Sequence, residues 1–334
     1  MKNKGLKIGL LVVGLLLLAY FIGPRVGKSE LSPDLPTFTL SCDEVEAYVM
    51  GKESTLSIRP GNGSRIIWAD DSLRQPTPYV LLYLHGFSAS PVEGDPVHTM
   101  LAERFGMNAY LPLLWDHGLE TEEALLNMTA GQLWESAKEA LVLAHRLGEK
   151  VIIASTSTGG TLALKLAADY PDLVDGLVLY SPNVRIANKA VFLSTRPWGR
   201  QITKLFTGGD YRVVSQTEEE APYWYGRYRI EGIIYLQQLV ELTMQASLFK
   251  EVKTPAFIGY YYKDEDNQDN TVSVDAILWM ADNLGTLPEL KVSEAFPDAG
   301  AHVIACSITN ENWMKVFEAT SSFLTNKLGL QAVN

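Results

Sequence analysis

The order of strand and helix signals along this chain predicts an α/β fold: a mostly parallel central sheet flanked by helices, with a mainly helical insertion. Three observations carry the prediction. Residues 151–154 form the apolar run of a strand buried on both faces, residues 155–160 are all small, and the helix signal after them stops at Pro171. Strand and helix signals alternate in this way from residue 79 to residue 181 and again from residue 255, the pattern of parallel strands joined by right-handed crossovers. Residues 183–252 break the rhythm, lacking a strand-helix repeat and concentrating aromatics.

Taken in order, the chain begins with a separate object. Within residues 1–32, Lys2, Lys4 and Lys7 precede the apolar run 8–23, and Pro24, Arg25 and Lys28 follow it. Such a run rises roughly 24 Å as a helix, a little under a bilayer core, and Lys7 and Arg25 can snorkel to lengthen it. An uncleaved membrane anchor is therefore expected, with a cleaved signal peptide as the alternative. The lysines before the run predict an exported catalytic domain. The core is expected over residues 33–182 and 253–334, with residues 183–252 inserted over the active-site end of the sheet.

Ser41-Cys42-Asp43-Glu44 is a capping box, opening a short helix that ends near Gly51. Residues 65–69 read as an edge strand and 79–84 as a buried one. A helix follows over 96–105, a strand over 109–114, and a helix from its Thr129 cap to about Leu147. Strands at 150–154 and 176–181 bracket the central helix. Beyond the insertion come a strand at 255–262, a helix at 274–284, a strand at 290–296 and a closing helix at 311–328.

Composition narrows the possible roles. With 334 residues, 47% of them apolar, the chain can bury an ordinary core, and its net charge of −11 argues against a nucleic-acid partner. Cys42 and Cys306 could pair, although two buried thiols are the commoner arrangement. No cysteine or histidine cluster has metal-ligand spacing, so neither a metal nor another cofactor is implied.

The small residues after the central strand suit a nucleophile elbow. A serine at the apex of a sharp strand-to-helix turn is held in a strained conformation, and the residues two before and two after it approach closely enough to require small side chains. With Ser157 at the apex these are Ser155 and Gly159. The Thr158 N–H then sits at the helix N-terminus, available to an oxyanion. Such a serine needs a histidine base, a carboxylate to orient it and a second oxyanion donor. Of His85, His98, His117, His145 and His302, only His302 follows Ser157, in a small-residue loop before the last helix. Asp264, Glu265, Asp266 and Asp269 follow the strand that should deliver the acid. In the loop after strand 79–84, Gly86 lets the backbone turn so that the Phe87 N–H can face that of Thr158. His85 itself is expected to make structural hydrogen bonds.

Together these residues resemble the α/β-hydrolase superfamily, and within it the monoacylglycerol lipase and lysophospholipase-like serine hydrolases. The resemblance rests on H-G-F at 85–87, D-H-G at 116–118, the elbow at 155–159, D-x-x-V beginning at Asp269, and the late His302, and it covers about residues 65–328. Two features depart from the pattern: Ser155 stands where glycine is usual, and Asp116 begins what is usually a G-H-G turn. The resemblance implies a triad of Ser157, Asp269 and His302, with Asp264 and Asp266 in reserve for the acid. It implies an oxyanion hole of Phe87 and Thr158, and hydrolysis of a small-molecule or lipid ester through an acyl-enzyme. Tyr223, Trp224 and Tyr225 of the insertion are expected to face the acyl chain. A serine aminopeptidase or thioesterase on the same scaffold, or a catalytically inactive binding protein, are the alternatives.

Overall fold

The computed structural model describes residues 2–333, with side chains described from Leu6 onward. In chain order the elements are α1 (Lys2–Phe21), α2 (Glu44–Glu53), β1 (Arg65–Ile67), β2 (Thr77–Leu84), α3 (Val97–Arg104), β3 (Asn108–Leu111), α4 (Ala130–Leu147), β4 (Gly148–Thr156), α5 (Thr158–Asp169) and β5 (Gly176–Tyr180). There follow α6 (Gly199–Thr207), β6 (Tyr211–Val213), β7 (Arg227–Arg229), α7 (Ile230–Thr243), α8 (Ala246–Glu251), β8 (Ala256–Tyr260), α9 (Val274–Asn283), β9 (Lys291–Ala295) and α10 (Trp313–Leu328).

Seven strands form one sheet in the order β1-β3-β2-β4-β5-β8-β9, parallel except for β1. The sheet separates two apolar cores, and alternate residues of each strand feed one or the other. On β2, Val80, Leu82 and Leu84 join the core under α4 and α5, while Leu81 and Tyr83 join the core under α3 and α10. The chain therefore has the mostly parallel sheet flanked by helices that its strand and helix signals predict, in the α/β-hydrolase architecture that the resemblance implies. Boundaries move where local chemistry decides them. For example, β3 stops at Leu111 because Pro112 brings no N–H to the ladder. Strand β4 continues to Thr156, which pairs with Tyr180 and carries the ladder up to the elbow.

Between β5 and β8 the chain leaves the sheet and forms α6, α7 and α8, with the antiparallel pair β6–β7 between the first two. Helix α6 is capped at both ends by left-handed residues, Trp198 and Gly208.

The N-terminal segment corrects one expectation. Among the described residues, no helix is long and apolar enough to cross a membrane. This overturns the anchor, the membrane partner and the exported location expected from residues 8–23. The physical reason is length. Helix α1 ends at Phe21, so its apolar part rises only about 21 Å against a bilayer core of about 30 Å. The end of that helix is also fastened to the body of the protein. The Trp198 indole N–H donates to Ala19 O at 3.0 Å, the Trp198 backbone N–H donates to Pro24 O at 2.8 Å, and the ring packs on Gly23. From there a strap crosses α7 and α4. Gln238 Nε2 donates to Gly27 O at 2.9 Å, Trp134 Nε1 to Ser32 O at 2.7 Å, and buried Lys138 Nζ to the carbonyls of Ser32 and Asp34.

Candidate active site

The turn from β4 into α5 is a tightly constrained stretch of backbone. Ser157 has φ 53° and ψ −115°, a conformation a non-glycine residue adopts only when its surroundings force it. Those surroundings are explicit. The Ser157 N–H donates to Tyr180 O at 3.0 Å, and its carbonyl accepts from Asn183 N and Gly160 N, each at 2.9 Å. A Cβ on Gly159 would lie 1.9 Å from Leu84 O, so only glycine fits two residues past the apex. Ser155, two residues before it, is accommodated because its hydroxyl donates to Val178 O at 3.3 Å. Serine thus takes the glycine's place with its hydroxyl partnered.

The other expected groups meet at this end of the sheet. Asp269 follows β8, His302 follows β9, and His302 Nδ1 lies 2.6 Å from Asp269 Oδ2. The second Asp269 oxygen, Oδ1, accepts from Thr271 N at 2.8 Å and Val272 N at 3.0 Å, so the D-x-x-V run is the turn that aims the carboxylate. Burial alone would raise the Asp269 pKa, but the His302 charge and these donors bring it below the usual carboxylate value. For His302, burial lowers the pKa, yet the charge and hydrogen bond of Asp269 outweigh burial and raise it. Nε2 of His302 is buried without a hydrogen-bond partner among the described residues, and it belongs to the same cavity wall as Ser157. The bond from Ser157 Oγ to that nitrogen is not formed in this structure. Asp264 turns into its own loop instead, accepting from Asn267, and Asp266 is exposed.

Among the described residues the Phe87 and Thr158 N–H groups have no backbone partner, and both residues line the cavity. The loop that carries Phe87 is braced by His85, whose Nδ1 meets Gly86 O at 2.8 Å and whose Nε2 accepts from Leu114 N at 3.0 Å. Burial holds His85 well below the ordinary histidine value, so it is neutral in this bracing role. His98 and His145 likewise bond backbone carbonyls, of Pro91 and Leu173. His117 bonds Trp115 O and packs edge-on against His85.

The cavity has a volume of about 820 Å³ and is walled on its far side by the inserted segment. Of the three expected aromatics, Trp224 and Tyr225 line it, whereas Tyr223 does not and faces Gly61. Tyr225 is largely buried, with its hydroxyl bonded to the backbone of Leu119. Phe87 and Tyr228, packed edge to face at 5.2 Å, complete the aromatic wall.

One residue of the site has no sequence motif to mark it. Glu93 is buried in the cavity wall, and its carboxylate accepts from the Gly86 N–H. In a loop rich in small polar residues a lone glutamate reads as solvated. Only its place shortly after the H-G-F loop hinted otherwise.

Comparison with known proteins agrees with this fold. A family profile described as serine aminopeptidase, S33, matches residues 134–278. No curated protein matches the chain by sequence. Among solved structures, the chain is similar to one described with LipS and LipT, two metagenome-derived lipolytic enzymes, with TM-score 0.62 and 17% identity over 80% of this chain and 98% of that one. It is also similar to a monoacylglycerol lipase of Paleococcus ferrophilus, with TM-score 0.58 and 15% identity over 79% and 98% of the two chains. Est1E of Butyrivibrio proteoclasticus, solved with ferulic acid, gives TM-score 0.52 and 13% identity over 80% and 95%. This chain thus has the α/β-hydrolase fold, which it shares with these solved structures.

Proposed function

We propose that this protein is a serine hydrolase that cleaves carboxylic esters through an acyl-enzyme on Ser157. The observation that carries the reading is the contact of His302 Nδ1 with Asp269 Oδ2 at 2.6 Å, with Nε2 left free in the wall that holds the strained Ser157. With Nδ1–H committed to Asp269, Nε2 is the basic nitrogen. It takes the Ser157 Oγ proton as Oγ bonds to the ester carbonyl carbon, and the carbonyl oxygen, now an anion, accepts from the N–H groups of Phe87 and Thr158. Collapse of this intermediate breaks the bond to the alcohol oxygen, which leaves with the proton from Nε2. A water molecule then loses a proton to Nε2 and attacks the acyl carbonyl, which frees the acid and restores Ser157. The aromatic wall suits apolar acyl chains, in keeping with the lipases and esterases among the similar structures.

The test is labelling with a fluorophosphonate probe beside hydrolysis of p-nitrophenyl esters. Wild type should label and turn over. Ser157→Ala should do neither while keeping its circular dichroism spectrum, because loss of the nucleophile costs on the order of 10⁶ in rate. Near-normal turnover by Ser157→Ala would refute the assignment.

A further inference from the structure

Glu93 sits in the short turn Pro91–Gly94 that follows the H-G-F loop, 2% exposed and in the same wall as Ser157 and His302. Its closeness to the nucleophile shows at Gly86, where an added Cβ would lie 2.8 and 3.0 Å from the two Glu93 oxygens and 3.1 Å from Ser157 Cβ. The Gly86 N–H donates to Oε2, and the Trp224 indole N–H donates to Oε1 at 3.4 Å. A third bond comes from the Tyr83 hydroxyl of β2, which also lies 2.8 Å from Thr156 Oγ1, one residue before the nucleophile.

The first of these bonds reaches the oxyanion hole. Glycine rotates more freely than any other residue, so the peptide that carries the Phe87 N–H needs holding on both sides of Gly86. His85 holds one side. Its Nε2 accepts from Leu114 N, so Nδ1 carries the proton and donates at 2.8 Å to Gly86 O, the carbonyl of that same peptide. Glu93 holds the other side through the Gly86 N–H.

The charge of the carboxylate reaches His302. No lysine or arginine acts on Glu93. The titratable groups that face it are His302 from the loop after β9, Tyr83 from β2 and Cys306 from the loop before α10; the inserted segment presents only the neutral Trp224 indole. Burial raises Tyr83 and Cys306, so both are neutral, and Asp95, two residues along, is paired with Arg65 at 2.6 Å. His302 is therefore the one facing group that takes a positive charge. Burial pushes Glu93 up to about 7, against the pull of the Gly86 N–H and of His302. Burial lowers His302 in turn, while the charge and hydrogen bond of Asp269, and after them the charge of Glu93, raise it.

We propose that Glu93 is a positioning residue for this reaction: its carboxylate pins the Gly86 peptide so that the Phe87 N–H faces the oxyanion, and its negative charge supports the His302 imidazolium that forms as Ser157 loses its proton. A buried carboxylate without a fixed counter-ion is costly, and here the counter-ion appears during the reaction, when the imidazole accepts the Ser157 proton. The proposal rests on the serine-hydrolase reading and adds a residue to it.

The test follows kcat/KM for p-nitrophenyl butyrate from about pH 5 to about pH 9, which reports the ionisations of the free enzyme. Glu93→Gln keeps an oxygen for the Gly86 N–H and removes the charge. Its acid limb should move to lower pH, because a histidine relieved of a negative neighbour gives up its proton more easily, and its plateau should fall by no more than about tenfold. Glu93→Ala loses the bond as well, and its plateau should fall by about a hundredfold, approaching the cost of losing one oxyanion donor. A role in packing alone would lower stability and rate but leave the limb in place. An acid limb that stays put or rises in Glu93→Gln overturns the proposal, and so does a plateau in folded Glu93→Ala no lower than in Glu93→Gln. Should Glu93→Ala fail to fold, the limb of Glu93→Gln decides alone. Fluorophosphonate labelling of the same preparations separates the two readings. Wild type that labels and turns over, beside a Glu93→Gln limb that has not moved, sinks this proposal alone; wild type that does neither sinks the serine hydrolase and this proposal with it.

Discussion

The two walls of the cavity are built differently. On the sheet side each group is fixed by backbone bonds: Ser157 by Tyr180 and Asn183, and Asp269 by Thr271 and Val272. On the inserted side three consecutive aromatics go three ways. Tyr223 packs on Gly61, the Trp224 indole turns to Glu93, and the Tyr225 hydroxyl is anchored at Leu119. A turn with a strained φ and no room for a Cβ two residues past its apex admits one geometry. An aromatic ring supplies buried area, which any of several directions satisfies. The sheet wall should therefore respond to small substitutions with large effects, and the inserted wall should not.

The largest expected effect is on the sheet wall. Asp269→Asn should lower kcat/KM for ester hydrolysis by about a thousandfold or more, because an amide at this position stabilises the wrong imidazole tautomer. The residual activity carries a second signature. His302 now stands above the ordinary histidine value because the Asp269 charge and hydrogen bond, with a smaller pull from Glu93, outweigh burial, and removing the Asp269 charge lowers it. Activity requires neutral Nε2, so the acid limb of the pH profile should move to lower pH in the variant. An unmoved limb would mean that the 2.6 Å contact does not tune the base. Asp264→Asn, confined to its own exposed loop, should change neither rate nor profile.

A glycine from each region sharpens the contrast. Gly159→Ala drives a methyl group into the Leu84 carbonyl, and backbone there cannot move without disturbing β2, so the loss should reach about 3 kcal/mol or more. Gly209, in the turn after α6, has nothing within 4 Å of the equivalent position, and Gly209→Ala should stay within about 0.5 kcal/mol of wild type. Urea unfolding midpoints measure both. Equal losses would show that the elbow relaxes far more easily than its contacts imply.

This contrast also explains what the sequence made legible. The elbow could be read because its physics restricts residue type: small at positions 155 and 159, with a helix N-terminus next. The order of Asp269 and His302 could be read because the topology brings the loops after β8 and β9 to the end of β4. Glu93 could not be read, since its significance depends on burial and on a Gly86 N–H that only the folded loop presents. The N-terminal segment was misread for a related reason. Residues 8–23 have the composition of a membrane span, but the helix stops at Phe21, and Trp198 and Gln238, far along the chain, tie the end of that helix and the strap after it to the body.

The smallest effect belongs to the inserted wall and separates neighbours that composition alone treats as equivalent. Trp224 lines the cavity and Tyr223 does not. Burying one methylene is worth about 0.8 kcal/mol, roughly a fourfold gain in kcat/KM for each carbon that contacts the wall. Removing the indole takes that contact away from the carbons it touches, without disturbing the backbone groups that hold Ser157, Asp269 and His302. Across p-nitrophenyl esters of increasing chain length, Trp224→Ala should therefore flatten the rise in kcat/KM while changing acetate hydrolysis only a few-fold. Tyr223→Ala should leave the whole profile in place, because the ring it removes packs on Gly61 outside the cavity. If the two variants flatten the profile equally, the inserted segment acts on acyl chains through its general packing, and the direction of each ring carries no specificity.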